Sequence, residues 1–290
     1  MSQHQKIIET IFASQGANGC WKMLDESNRN YPVCLHYSPT FKSTLWTLIL
    51  LADLEHDPDD KRVQQPLNTI QEHFFDSKHG IFSLGSDHFP IPCLNGNMIY
   101  LDAYFNRSLS PKSVSVVNFF SEFQRFDDGR YNLPKNQFCS NTSCFGKHTC
   151  YWGVVKLLKG LSFIPKEKRN EAAQELLNRC IEFVLLHQVC FSSRHEGRFL
   201  SRDIDKLGFP CMYRSNFLEI LWLLKRENVG SETIRPAIQL LHSKQQREGN
   251  WTLEKKISNM AASVGAENKP NEYITKRVLE VLEFYQKKGS

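Results

Sequence analysis

Long apolar runs, strand-like alternation and dense basic stretches are all scarce in this sequence. The longest apolar run, Leu45–Leu54, is broken by Thr47 and carries Asp53. That suits a buried helix and excludes a membrane span. The N-terminal MSQHQKIIETIF has no apolar stretch of the secretory kind, so a cytoplasmic protein is expected. Apolar/polar alternation is nearly absent, which argues against a sheet. The formal charge of +5 over 290 residues comes from scattered Lys and Arg, so no nucleic-acid groove is expected. Nine cysteines are an odd number, and in a reducing compartment they read as thiols or metal ligands before disulfides.

What is present is enough apolar material for a large core: 41% hydrophobic residues, with 20 Phe, 9 Tyr and 5 Trp. Apolar residues at helical spacing mark ten segments, at 3–14, 40–54, 61–75, 94–106, 111–124, 145–162, 166–188, 211–226, 231–245 and 271–287. Every second segment is followed by a glycine, one residue and an aromatic: Gly19-Cys20-Trp21, Gly80-Ile81-Phe82, Gly129-Arg130-Tyr131, Gly197-Arg198-Phe199 and Gly249-Asn250-Trp251. A glycine just past a helix end takes the left-handed conformation that stops the helix. The aromatic two residues on then folds back to seal the gap between helix pairs.

Two of these turns carry more. Gln15, Gly19 and Trp21, and again Gln245, Gly249 and Trp251, spell Q-x-x-x-G-x-W. This resembles the QW repeat of squalene–hopene cyclases and related triterpene cyclases, and the looser glycine–aromatic turns of protein prenyltransferase β subunits. The resemblance implies an all-α fold, a single α/α toroid over residues 1–290 with about five inner and five outer helices. The segments that end in a glycine–aromatic turn would be outer and those between them inner, with the termini meeting to close the ring. It also implies a small-molecule, isoprenoid-like ligand in the central cavity. Aromatics in such a ring either pack between its layers or line that cavity.

Inner helices of a ring run parallel, so their N-terminal ends gather at one mouth. Three predicted inner helices begin alike, at Cys93, Cys144 and Cys211, each with a polar residue four later: Asn97, His148 and Ser215. Tyr100 and Tyr151 match at seven after the Cys. With Cys139, the set Cys93, Cys139, Cys144, His148 and Cys211 supplies candidate zinc ligands, because thiolate and imidazole suit a borderline-soft cation. Cys150 is expected to point away from Cys144 on the helix. The alternative is a set of small buried thiols at a crowded helix entry. His36, Tyr37, Asn97, Tyr100, Tyr151, Tyr213 and Arg214 would line the mouth, whose helix ends favour an anion or an activated thiol.

Asp57-Pro58-Asp59-Asp60 fits the D-x-D-D of class II terpene cyclases, but its charged flanks read as a polar turn capping the next helix. Three functions compete. One is an enzyme acting on an isoprenoid, by resemblance. Another is a zinc-dependent thiol enzyme of the kind that lanthionine cyclases exemplify. The third is a non-catalytic module binding a small molecule or a peptide.

Overall fold

In the computed structural model, residues 1–38, 40–85, 89–129, 144 and 148–288 are described. Among them are ten α-helices and one hairpin of two-residue strands. None of these helices is long and apolar enough to cross a membrane. The helices are α1 Gln3–Ala13, α2 Thr44–Asp53, α3 Lys61–Phe74, α4 Pro92–Phe105, α5 Pro111–Phe123, α6 Tyr151–Phe163, α7 Glu171–Leu186, α8 Phe217–Arg226, α9 Arg235–Ser243 and α10 Glu272–Lys288. All ten fall on predicted segments. Five start late, at Thr44, Tyr151, Glu171, Phe217 and Arg235, and the largest offsets are at Tyr151 and Phe217, where the periodicity predicts 145 and 211.

Burial separates two kinds of helix. Every residue of α2 is buried, and nearly every residue of α4 and α6. By contrast α3 buries one face, carried by Val63, Pro66, Leu67, Ile70, Gln71 and Phe74. A helix that is apolar all round needs neighbours on every side, whereas a striped one sits at the surface.

The chain divides into two compact units, Met1–Leu177 with Ser258–Ser263, and Asn178–Ile257 with Val264–Ser290. In the first, α4 and α6 lie backbone against backbone. A Cβ on Gly96 would stand 2.3 Å from the Lys156 carbonyl carbon, and one on Gly160 would stand 2.5 Å from the Gly96 carbonyl oxygen. Only glycine permits that approach. Gly153 faces Pro92, and Gly160 faces Gly96 and Ile99. Residue numbers rise together along the contact, so the two helices are parallel.

The C-terminal end of α2 joins them through a buried network. The Asp53 carboxylate accepts from the Tyr100 hydroxyl at 2.9 Å and from the Lys159 ammonium at 2.7 Å. The same ammonium lies 4.3 Å from the Tyr100 ring centroid. Both donors meet the same oxygen, Oδ1, so the buried charge is held by one ion pair and one hydroxyl. At the opposite end, the Cys20 thiol bridges Thr44 in the first turn of α2 and Thr69 in α3, so α3 runs against α2.

In the second unit α8 and α10 are also parallel. Glu280 accepts from Trp222 at 3.2 Å and from Lys225 at 2.8 Å, and further along Tyr285 donates to the Val229 carbonyl.

The five turn glycines all adopt left-handed backbone, with φ of 75°, 68°, 78°, 70° and 78° at Gly19, Gly80, Gly129, Gly197 and Gly249. The two Gln–Trp turns are near duplicates. The Trp21 indole donates to the Ile11 carbonyl at 2.9 Å, and Trp251 donates to Leu241 at the same distance. Their backbone N–H groups donate to Thr44 and Thr275. Gln15 donates to the Gly19 carbonyl, and the Gln245 amide lies beside Gly249. Trp21, Phe82 and Trp251 are 2%, 0% and 0% exposed. Phe199 is 40% exposed, so the fourth turn does not bury its aromatic as predicted. Arg130 and Tyr131 lie outside the described residues.

Candidate functional site

Parallel packing places the starts of α4 and α6 side by side. Cys93 is the second residue of α4, and Cys150 is the residue that precedes α6. Cys144 lies seven residues ahead of α6, where the sequence places it at the helix entry. The three thiols are close enough to sense one another's charge. Burial pushes Cys93 up to about 12, and Cys150 and Cys144 push it in the same direction while Lys156 opposes them. Burial and then Cys150 push Cys144 up to about 11. Both thiols are therefore protonated at neutral pH. The helix end does not turn Cys144 into a ready thiolate, because desolvation outweighs it.

Cys150 is the member that sequence reasoning turned away. That reading ran the helix back to residue 145 and so rotated Cys150 to another face. Cys93 and Cys150 now share one level, and Cys144 feels Cys150.

Most helices in the molecule begin with a side-chain cap. Ser2, Asp60 and Ser110 accept N–H bonds at the starts of α1, α3 and α5. In the second unit Asn216 and Asn271 do so for α8 and α10. The starts of α2, α4 and α6, preceded by Ser43, Ile91 and Cys150, have no side-chain cap. At α2 the Leu45 N–H donates instead to the His36 carbonyl at 3.1 Å. Two buried oxygens of this region, Ser43 Oγ and Asn97 Oδ1, have no hydrogen-bond partner. Lys156, fully buried, adds a cation beside Cys93.

The other predicted mouth residues separate. His36 is buried, with Nδ1 3.2 Å from the Thr44 hydroxyl and its ring edge-on to His73 at 5.1 Å. Burial and then the neighbouring His73 lower its pKa to about 4. Tyr37 offers its carbonyl to the Trp46 indole at 2.7 Å. The buried Tyr100 donates its hydroxyl to Asp53 at 2.9 Å, nearer the C-terminal end of α4 than its start. Tyr151 is buried at the first position of α6, whereas Tyr213 and Arg214 are exposed.

Of the proposed ligands, His148 is exposed and Cys211 is buried, with its thiol 3.8 Å from the Gly208 carbonyl. The shared Cys-x3-polar helix face does not hold at Cys211, because α8 begins only after Asn216. Cys139 lies outside the described residues. Among the described residues, no three His, Cys, Asp or Glu side chains form a ready-made metal site. Asp60 caps α3, and its hydrogen bonds to Arg62 and His56 hold its carboxyl far below the usual range. It is ionised, as a capping turn requires, and unsuited to the role of a general acid.

No protein-family model and no curated protein matches the chain. A solved structure of a protein from Actinoplanes is similar over 98% of this chain and 98% of its own, at 12% identity and a TM-score of 0.34. A likeness that low assigns neither fold nor function.

Proposed function

We propose that the chain is an α/α toroid of the terpenoid cyclase and prenyltransferase type. Its ligand would be an isoprenoid with an anionic head, held where the inner helices begin, and its activity that of a cyclase or transferase. The observation that carries this reading is the absence of side-chain caps on α2, α4 and α6, which among the described helices only α9 shares. A helix start with no side-chain cap is a site where N–H groups and the helix dipole favour a phosphate-like group. Lys156 adds a full charge, and Asn97 adds an amide that can turn its N–H toward the ligand. The apolar helix bodies beneath suit a hydrocarbon tail.

Calorimetry with farnesyl diphosphate, farnesol and inorganic diphosphate tests it. The diphosphate ester is expected to bind at least about tenfold more tightly than the alcohol, the gain of one charge-assisted contact. Lys156→Met, which keeps the volume of the side chain, should abolish that preference. Equal binding of ester and alcohol, or no binding of either, overturns the proposal. Release of inorganic diphosphate on incubation distinguishes an enzyme from a binding module.

The three thiols favour a second reading, a zinc-dependent thiol enzyme. The donor chemistry suits zinc, and Cys93, Cys144 and Cys150 would hold it, leaving a position open for a substrate thiol. A bound zinc would keep those sulfurs as thiolates and activate the incoming thiol. Metal analysis of freshly purified protein decides the point: near-stoichiometric zinc that Cys150→Ser releases supports this reading, and zinc-free protein sinks it.

A further inference from the structure

We infer that the loop from Cys190 to Arg202 docks the protein on the surface of an anionic phospholipid bilayer. The loop is built, not slack. Phe191 and Phe199 form an isolated antiparallel bridge, and their rings stack at 5.2 Å and 26°. Ser192 N–H donates to the Arg198 carbonyl, and Leu200 N–H donates to the Cys190 carbonyl, both at 2.8 Å. The Ser192 hydroxyl accepts from the N–H groups of Arg194 and His195 and fixes the tip. Cys190 and Val189 anchor the base in the core.

This is the place where the repeat buries an aromatic in its other described turns. Here Phe199 is turned out, and a Cβ on Gly197 would meet nothing. One exposed Phe is ordinary on a protein surface. A stacked pair raised on a bridge and surrounded by cations is a different arrangement. Arg194, His195, Arg198 and Arg202 are all exposed, against one acid, Glu196, between them. The next acid, Asp203, is engaged by Lys255 at 2.6 Å and lies 3.8 Å from Arg202, which leaves Arg194, His195 and Arg198 as the cations of the tip.

An aromatic at a basic loop tip matches the chemistry of an anionic membrane interface, where the ring enters the headgroup layer and the guanidinium groups stay with the phosphates. A single-stranded nucleic acid would need a continuous basic track with several stacking faces. The loop offers one.

Sedimentation with vesicles tests the inference, using phosphatidylcholine alone and phosphatidylcholine mixed with phosphatidylglycerol. Binding only to the mixed vesicles is expected, with release by high salt. Reversing two charges, Arg194→Glu with Arg198→Glu, should weaken it at least about tenfold, and Phe199→Ser should weaken it severalfold. Emission from Phe199→Trp should be quenched by brominated lipid. Three results would each overturn the idea: no sedimentation, equal binding to neutral vesicles, or binding unchanged in the charge-reversed protein. So would capture of a single-stranded RNA oligonucleotide, lost on charge reversal, without any vesicle binding. These positions are exposed, so unchanged melting temperatures confirm that the variants are folded.

Discussion

The two compact units use the same turn and differ in how several of their buried helices begin. Trp21 and Trp251 are held by the same bonds to the same kinds of partner. Yet in the second unit α8 and α10 are closed by Asn216 and Asn271, whereas α2, α4 and α6 in the first have no side-chain cap. The turn is framework, so both units keep it. A cap competes with a ligand for the same N–H groups, and the three uncapped starts at α2, α4 and α6 lie in the unit that carries three neighbouring thiols and a buried lysine. The proposed site lies where the repeats stop resembling one another.

The turns should give the largest effects. Trp21→Ala and Trp251→Ala are each expected to cost ~3–5 kcal/mol in denaturant unfolding, the range for a large buried aromatic. Phe199→Ala, at the exposed member of the series, should stay within ~0.5 kcal/mol. A similar loss at all three sites would erase the distinction between sealed and opened turns. The caps come next. Asn216→Ala should cost ~1–2 kcal/mol, because Glu219 N–H loses its acceptor. Ser43→Ala should be close to neutral, since its hydroxyl is buried with no partner to lose. Equal losses at Ser43 and Asn216 would mean that Ser43 caps α2 after all, and the contrast between the units would fail.

A third comparison concerns pH. His36 has a folded pKa near 4 and an ordinary value near 6.5. The unfolded chain therefore takes up the proton first. Stability from this group is complete above about 6.5 and is lost as the pH falls toward 4. His36→Gln should flatten that part of the stability profile. An unchanged slope would show that His36 is not the group responsible.

Much of the fold was legible because helices and their stops are local. The 3.6-residue period placed all ten helices, and each turn glycine announced a left-handed residue. Starts were less legible than existence. Periodicity counts Cys, Met and Tyr as apolar and so ran two helices back through Cys144 and Cys211. Asn216 followed by Glu219 was a readable cap signal for the true start of α8, whereas no such signal precedes α6. The candidate site was harder still. That Cys150 and not His148 joins Cys93 depends on the glycine contact between α4 and α6, fifty residues apart in sequence. The outward turn of Phe199 was illegible because its triplet matches the buried ones in composition.

The Asp53–Lys159 pair spans 106 residues of chain, and that separation has a consequence during synthesis. Translation at roughly 5–20 residues per second leaves the carboxylate without this cation for roughly 5–20 s after Asp53 has been made. Over that interval α2 can collapse onto α3, but the level of Asp53 must stay hydrated. Nascent chains stalled before Lys159 should therefore be protease-sensitive around α2, and those stalled well beyond it resistant.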